Sequence, residues 1–131
     1  MRGVGVAHLY PPSMEDLAAA MRAFAYGLPE AWEDHPWGED VAKVGKKVFA
    51  FLGMADGEPS MTVKLPLSGD EALAMTFTEP AGYGLDRGGW VHVHVPPDAP
   101  LDLILGWIEE SYRTVAPKRL VQHLDEAASQ P

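Results

Sequence analysis

Two hydrophobic spacings alternate along the chain. From Lys47 to Met54, Val48, Ala50 and Leu52 fall on one parity and Phe49 and Phe51 on the other, the period of two expected of a strand. Ala55-Asp56-Gly57-Glu58-Pro59 then reads as a hairpin turn into a strand over 60–65, closed by Pro66. An earlier strand is expected over 31–35, resuming at 40–44 after Pro36-Trp37-Gly38, and residues 90–95, Trp-Val-His-Val-His-Val, form the cleanest alternation of all. Elsewhere the spacing is helical. Leu17, Met21 and Phe24 recur every three or four positions behind an N-cap at Ser13, with Glu15 and Asp16 in the first turn and Gly27 and Pro29 as stops, which predicts a helix over 14–26. Ser68-Gly69-Asp70-Glu71 has a capping-box pattern and opens a short helix over 69–76. A loop follows over 79–89. Asp98 is the expected cap of a helix reaching 114, with Leu101, Leu105, Ile108 and Tyr112 on one stripe and Leu103, Ile104 and Trp107 widening it. After Pro117, Lys118–Ala128 makes a last amphipathic segment, and the tail beyond is expected to fray.

This order of elements predicts an α+β fold: a single domain over residues 13–128, with a mainly antiparallel sheet and helices packed on one face. Residues 1–12 read as an irregular lead-in ended by Pro11-Pro12. A chain of 131 residues is long enough to bury a sizeable core. No apolar run approaches the ~18 residues of a membrane span, and Met1–Ala7 lacks the pattern of a secretion signal. With no cysteine there are no disulfides, thiolate metal sites or cysteine nucleophiles, which fits a cytoplasmic protein.

Charge changes the picture most. The net charge of −9 has the wrong sign for a duplex-binding domain, whose affinity comes largely from neutralising phosphates. The acids are unevenly spread, however. Lys43, Lys46, Lys47 and Lys64 face only Asp56 and Glu58 within their own stretch, whereas Glu30, Glu33, Asp34, Glu39 and Asp40 crowd residues 30–40. A local basic face on an acidic body is therefore open to the chain.

The blocks Pro36-Trp37-Gly38, Lys43-Val44-Gly45-Lys46-Lys47-Val48-Phe49-Ala50, Val63-Lys64-Leu65, Pro80-Ala81-Gly82-Tyr83, Gly89-Trp90-Val91 and Ser111-Tyr112 occur in that order. In these blocks the chain, over residues 14–120, resembles the MmcQ/YjbR family. The resemblance implies a compact YjbR-like α+β domain related in shape to secretion chaperones. Members are commonly labelled DNA-binding, a label resting on fold-level analogy, and no catalytic residues come with it.

Lys43, Lys46, Lys47, Lys64 and Arg87 are the residues that charge and resemblance both select. Lys47 and Lys64 lie on adjacent strands of the expected hairpin and are read as sharing a face toward an anion, whether nucleic acid, a phosphate-bearing small molecule or an acidic peptide. The same lysines are compatible with a solvated face paired to Glu33, Asp34, Glu39 and Asp40. Trp37 and Trp90 are candidate stacking platforms, Tyr83 a candidate contact in a Gly-rich loop, and Trp32 and Trp107 are read as core. His92 and His94, two apart on a strand, point the same way and could start a metal site, with His35, Glu33 or Asp34 offered by a neighbouring strand as a third ligand, but nothing in the spacing fixes that, so no metal and no cofactor is expected. No Gly-x-Ser-x-Gly elbow, phosphate loop or His-Glu-x-x-His is present, and no carboxylate pair is placed for acid–base work, so an enzyme is not expected. Two readings lead, a cytoplasmic module binding nucleic acid or another anion through a Lys/Trp sheet face, or a protein–protein adaptor or chaperone-like homodimer; a small enzyme or metal-binding protein using His92 and His94 stands behind them as a third.

Overall fold

The computed structural model describes residues 13–129. The expected lead-in over 1–12 lies outside the described residues, as does the side chain of Trp37.

Helix α1 spans Met14–Tyr26 and begins as the sequence dictates: the Ser13 hydroxyl accepts from the Asp16 amide at 3.0 Å, and the Asp16 carboxylate accepts from the Ser13 amide. Strands β1 (Ala31–Asp34), β2 (Asp40–Val44), β3 (Lys47–Ala55) and β4 (Glu58–Lys64) follow as consecutive antiparallel neighbours, with Pro36–Gly38 forming a 3-10 turn between the first two. Next come helix α2 (Gly69–Leu73), strand β5 (Thr78–Pro80), a 3-10 turn at Leu85–Gly88, strand β6 (Trp90–His94), and helices α3 (Leu101–Val115) and α4 (Lys118–Ser129). The six strands form one fully antiparallel sheet in the order β1-β2-β3-β4-β6-β5.

Three local expectations give way to context. β5 falls where a loop was expected; three residues are too few to show alternation, and the strand exists because β6 pairs with it. Ser68 does not cap α2 through its side chain. Its hydroxyl donates instead to Glu110 of α3, whose carboxylate also accepts the amides of Leu67 and Ser68, so the helix start is held from across the fold. Nor does Asp98 cap α3. The helix starts at Leu101, and the Pro100 carbonyl accepts its first amides, because a residue before proline is disfavoured in helical conformation. The buried stripe of α3 accordingly runs Ile104, Trp107, Ile108, Ser111 and Tyr112, while Leu101 is exposed.

The core lies between one face of the sheet and the helices. Ala42, Ala50, Leu52, Met61, Val63, Val91 and Val93 pack with Met21 and Ala25 of α1 and with the α3 stripe. A bulge between Ala42 and Lys43 shifts the register, so that both Phe49 and Ala50 turn inward; the Phe49 ring meets Tyr112 edge-on, centroids 5.2 Å apart. β3 and β4 part just beyond this point. The Ser111 hydroxyl fills the gap, donating to the Phe49 carbonyl and accepting from the Lys64 amide at 2.8 Å. Tyr112 reaches on to donate to the Pro29 carbonyl. The Ser111-Tyr112 pair thus ties α3 to three parts of the chain.

Candidate functional site

Pleating decides what the sheet presents. Because Ala50, Val63 and Val91 face the helices, their neighbours face away. Register places Asp34, Val41, Phe51, Thr62, His92 and Glu79 in one row across all six strands on the side away from α1 and α3. A second row on that side joins Trp32, Lys43 and Val48, and Lys64 pairs with Trp90. The rings of Phe51 and Trp90 come from the two strands flanking β4 and meet edge-on at 5.6 Å, so they close over β4 between Thr62 and Lys64.

Two adjoining hollows of about 400 and 270 Å³ lie on this side and share Glu39, Phe51, Thr62 and His92. Gly38 and Glu39 wall them on one flank, and Ala81, Gly82, Tyr83 and Leu85 on the other. Tyr83 is fully exposed and holds a left-handed backbone (φ 59°) beside Gly84. On the floor, Nδ1 of His92 lies 2.8 Å from the Thr62 hydroxyl, and the His92 and His94 rings meet edge-on at 4.5 Å. Nε2 of His94 is 3.1 Å from the Glu79 carboxylate. Burial, and then the charge of His94, hold His92 below its ordinary pKa of 6.5, against the opposing pull of Glu79.

Of the residues selected from sequence, Lys43, Lys46, Lys47, Lys64, Arg87 and Trp90 gather at one end of the sheet, where β2 ends, β3 begins, β4 ends and β6 begins, but not on one face, whereas Trp37 belongs to the turn between β1 and β2 at the opposite end. Lys64 and Trp90 are cross-strand partners on the uncovered side. Lys43 is on that side too, yet its ammonium is 3.0 Å from Asp34 and 5.1 Å from the Trp32 ring centre. The lysine–aspartate contact holds the Asp34 carboxyl below its usual range. Lys47 pairs with Val44, whose side chain is buried on the helix side, so Lys47 and Lys64 do not share a face; the bulge and turn, invisible as spacing, set the parity. Lys46 sits exposed in the turn, and Arg87 exposed on the 3-10 turn leading to Trp90. Among the described residues, Lys46, Lys47, Lys64 and Arg87 make no ion pair, whereas Asp40 pairs with Arg22 and His35 and Glu30 with Arg119. Trp107 is core as expected, but Trp32 is not: it lies exposed on an edge strand, its indole N–H donating to the Gly45 carbonyl at 3.0 Å.

Phe51, Thr62 and Glu79 were not singled out from sequence. Phe51 and Thr62 could have been found by extending the parity of the strands to their outward positions. Glu79 could not, because β5 has no alternation of its own.

A family model described as YjbR matches residues 26–114, from the end of α1 to the last turn of α3. Among solved structures, a Deinococcus radiodurans protein with a DUF419 domain is similar over 88% of this chain and 89% of its own, with a TM-score of 0.66 and 23% identity. A Pseudomonas syringae protein is similar over 75% of this chain and 97% of its own, with a TM-score of 0.60 and 18% identity. Both share the fold. No curated protein matches by sequence. With the family match spanning the whole sheet and the Ser111-Tyr112 anchor, the chain belongs to the YjbR family.

Proposed function

We propose that the chain is a cytoplasmic, non-catalytic binding module that takes a flat, negatively charged ligand, unpaired nucleic acid first, on the uncovered side of its sheet. One observation carries this reading. Lys64 and Trp90 are cross-strand partners beside Phe51, at an end of the sheet where Lys46 and Arg87 are exposed and unpaired among the described residues. A base stacks on an aromatic face whatever its sequence, and a nearby ammonium answers its phosphate. Duplex DNA fits less well, because the basic groups are few and the body carries −9. The test is titration of a fluorescent mixed-sequence single strand at low salt. Binding is expected, and Lys46→Glu with Lys64→Glu should weaken it at least tenfold; a chain that binds neither single strand nor duplex there is no nucleic-acid module.

A second reading, an adaptor surface for another protein chain or a second copy, draws on exposed apolar residues around a cleft that Trp90 also lines. Leu67, Leu73 and Met75 are exposed, and the first two border a cleft of about 390 Å³ between α2 and the start of β6 that also contains Asp70 and Asp86. Sedimentation velocity over a concentration series distinguishes a self-pairing chain from a monomer. Among the described residues, no helix is long and apolar enough to cross a membrane.

A further inference from the structure

We propose that Glu79, His92 and His94 form a three-ligand site for a divalent transition-metal ion of the zinc class, on the uncovered side of the sheet. The inference does not rest on the nucleic-acid reading, since it uses other residues and needs no anionic ligand.

The geometry is that of a site with three protein ligands and an open position. One ligand atom from each residue lies within 4.8 Å of the other two. Ligands bound at ~2.1 Å around a tetrahedral ion stand about 3.4 Å apart, so small side-chain rotations close the set. Nε2 of His94 and the Glu79 carboxylate are already 3.1 Å apart, and an ion would take the place of the proton between them. Two imidazoles and one carboxylate suit zinc and its neighbours rather than calcium or magnesium, which prefer all-oxygen sets.

The surroundings fix the ligands. Thr62 stands opposite His92 on β4, and its hydroxyl faces Nδ1 at 2.8 Å. The tautomer with Nδ1 protonated donates to that hydroxyl and leaves the Nε2 lone pair for an ion, the arrangement usual for metal-bound histidine. Glu79 is the middle residue of a three-residue strand, registered opposite His92. On either side of it Thr78 and Pro80 pair with Val93 and Val91, and the Thr78 hydroxyl bonds back to the Ala72 carbonyl, so the short strand is held in register and keeps Glu79 on the face of His92.

A rival cluster, Glu33, His35 and Asp40, offers one imidazole and two carboxylates. There, however, the Arg22 guanidinium bonds Asp40 directly and already supplies the positive charge. Among the described residues, no lysine or arginine pairs with Glu79.

The site also neighbours the hollows, since His92 lines both.

The experiment is calorimetric titration of Zn2+ into the untagged, chelator-treated full chain, with circular dichroism to confirm that each variant is folded. One ion per chain is expected. His92→Ala and His94→Ala should each weaken binding at least a hundredfold and Glu79→Gln at least tenfold, while His35→Ala leaves it unchanged. Thr62→Val should weaken it about tenfold and Thr62→Ser restore it, which a purely structural role would not do. Co2+ in place of Zn2+ should give the strong visible bands of a four- or five-coordinate ion. Absence of uptake, uptake that survives His94→Ala, or loss on His35→Ala overturns the assignment.

Discussion

Removing the Ser111 hydroxyl would strand two backbone groups at once, the Phe49 carbonyl and the Lys64 amide, in a place the solvent does not reach. An unsatisfied buried polar group costs about 1–3 kcal/mol, so Ser111→Ala should lower stability by ~2 kcal/mol or more in urea unfolding. Tyr112→Phe loses one hydrogen bond to the Pro29 carbonyl but keeps the ring against Phe49, and should cost only ~1 kcal/mol. A Ser111→Ala cost no larger than that of Tyr112→Phe would show that the strands close the gap unaided. Asp40 gives a pH dependence. The Arg22 guanidinium, followed by His35, holds its carboxyl below the ordinary 3.8 despite partial burial. As pH falls the unfolded chain therefore takes up this proton first, and the stabilisation, complete above 3.8, is lost as pH drops through the lower folded value. Asp40→Asn should flatten the acid limb of stability against pH; an unchanged limb would mean that the pair contributes nothing there.

At the scale of elements, α2 is the place to look for local opening. It is one turn long and unaided by its own cap, and its start hangs on the Glu110 carboxylate through three hydrogen bonds. Glu110→Ala should accelerate amide exchange at Leu67, Ser68 and Ala72 well before it affects β3 or β4, with a global cost of about 1.5–3 kcal/mol. Uniform loss of protection across the sheet would place Glu110 in the global core instead. These same elements mark how far the sequence could be read. α1, the β3–β4 hairpin, β6 and the break at Pro117 carry their signals locally, in caps, parity and turn residues, and the structure has them within two residues of the expected bounds, the hairpin turn tightening to Asp56-Gly57. β5, the cap of α2 and the start of α3 depend on partners 11 to 43 residues away in sequence or on a proline's effect upon its predecessor, and no window along the chain contains that information. The candidate site divides likewise. His92 and His94 were legible as a pair from spacing, but the residue that completes them is supplied by a strand that exists only through pairing. The lysines were legible as a cluster in sequence, and the bulge then sends Lys47 to the other face.

At the scale of the whole molecule, a charge of −9 acts on any polyanion that approaches, and the basic end must overcome it locally. This bounds the salt dependence. For single strands, log K falls with log salt at a slope of about −0.7 per phosphate neutralised. The uncovered side offers Lys64, with Lys46 and Arg87 at the same end, while Lys43 is already paired with Asp34. Two or three phosphate contacts give a slope of roughly −1.4 to −2.1, a shallow dependence beside that of basic DNA-binding domains. Stacking on Phe51 and Trp90 should supply the remainder and persist as salt rises, so Trp90→Ala should lower affinity without changing the slope, whereas Lys64→Glu should reduce it by about one contact. A slope steeper than about −4 would require more cations than this end of the sheet can bring to a strand, and would move the binding surface elsewhere. A slope near zero with binding intact would leave the aromatic face working without its lysines, as an apolar docking surface for another chain.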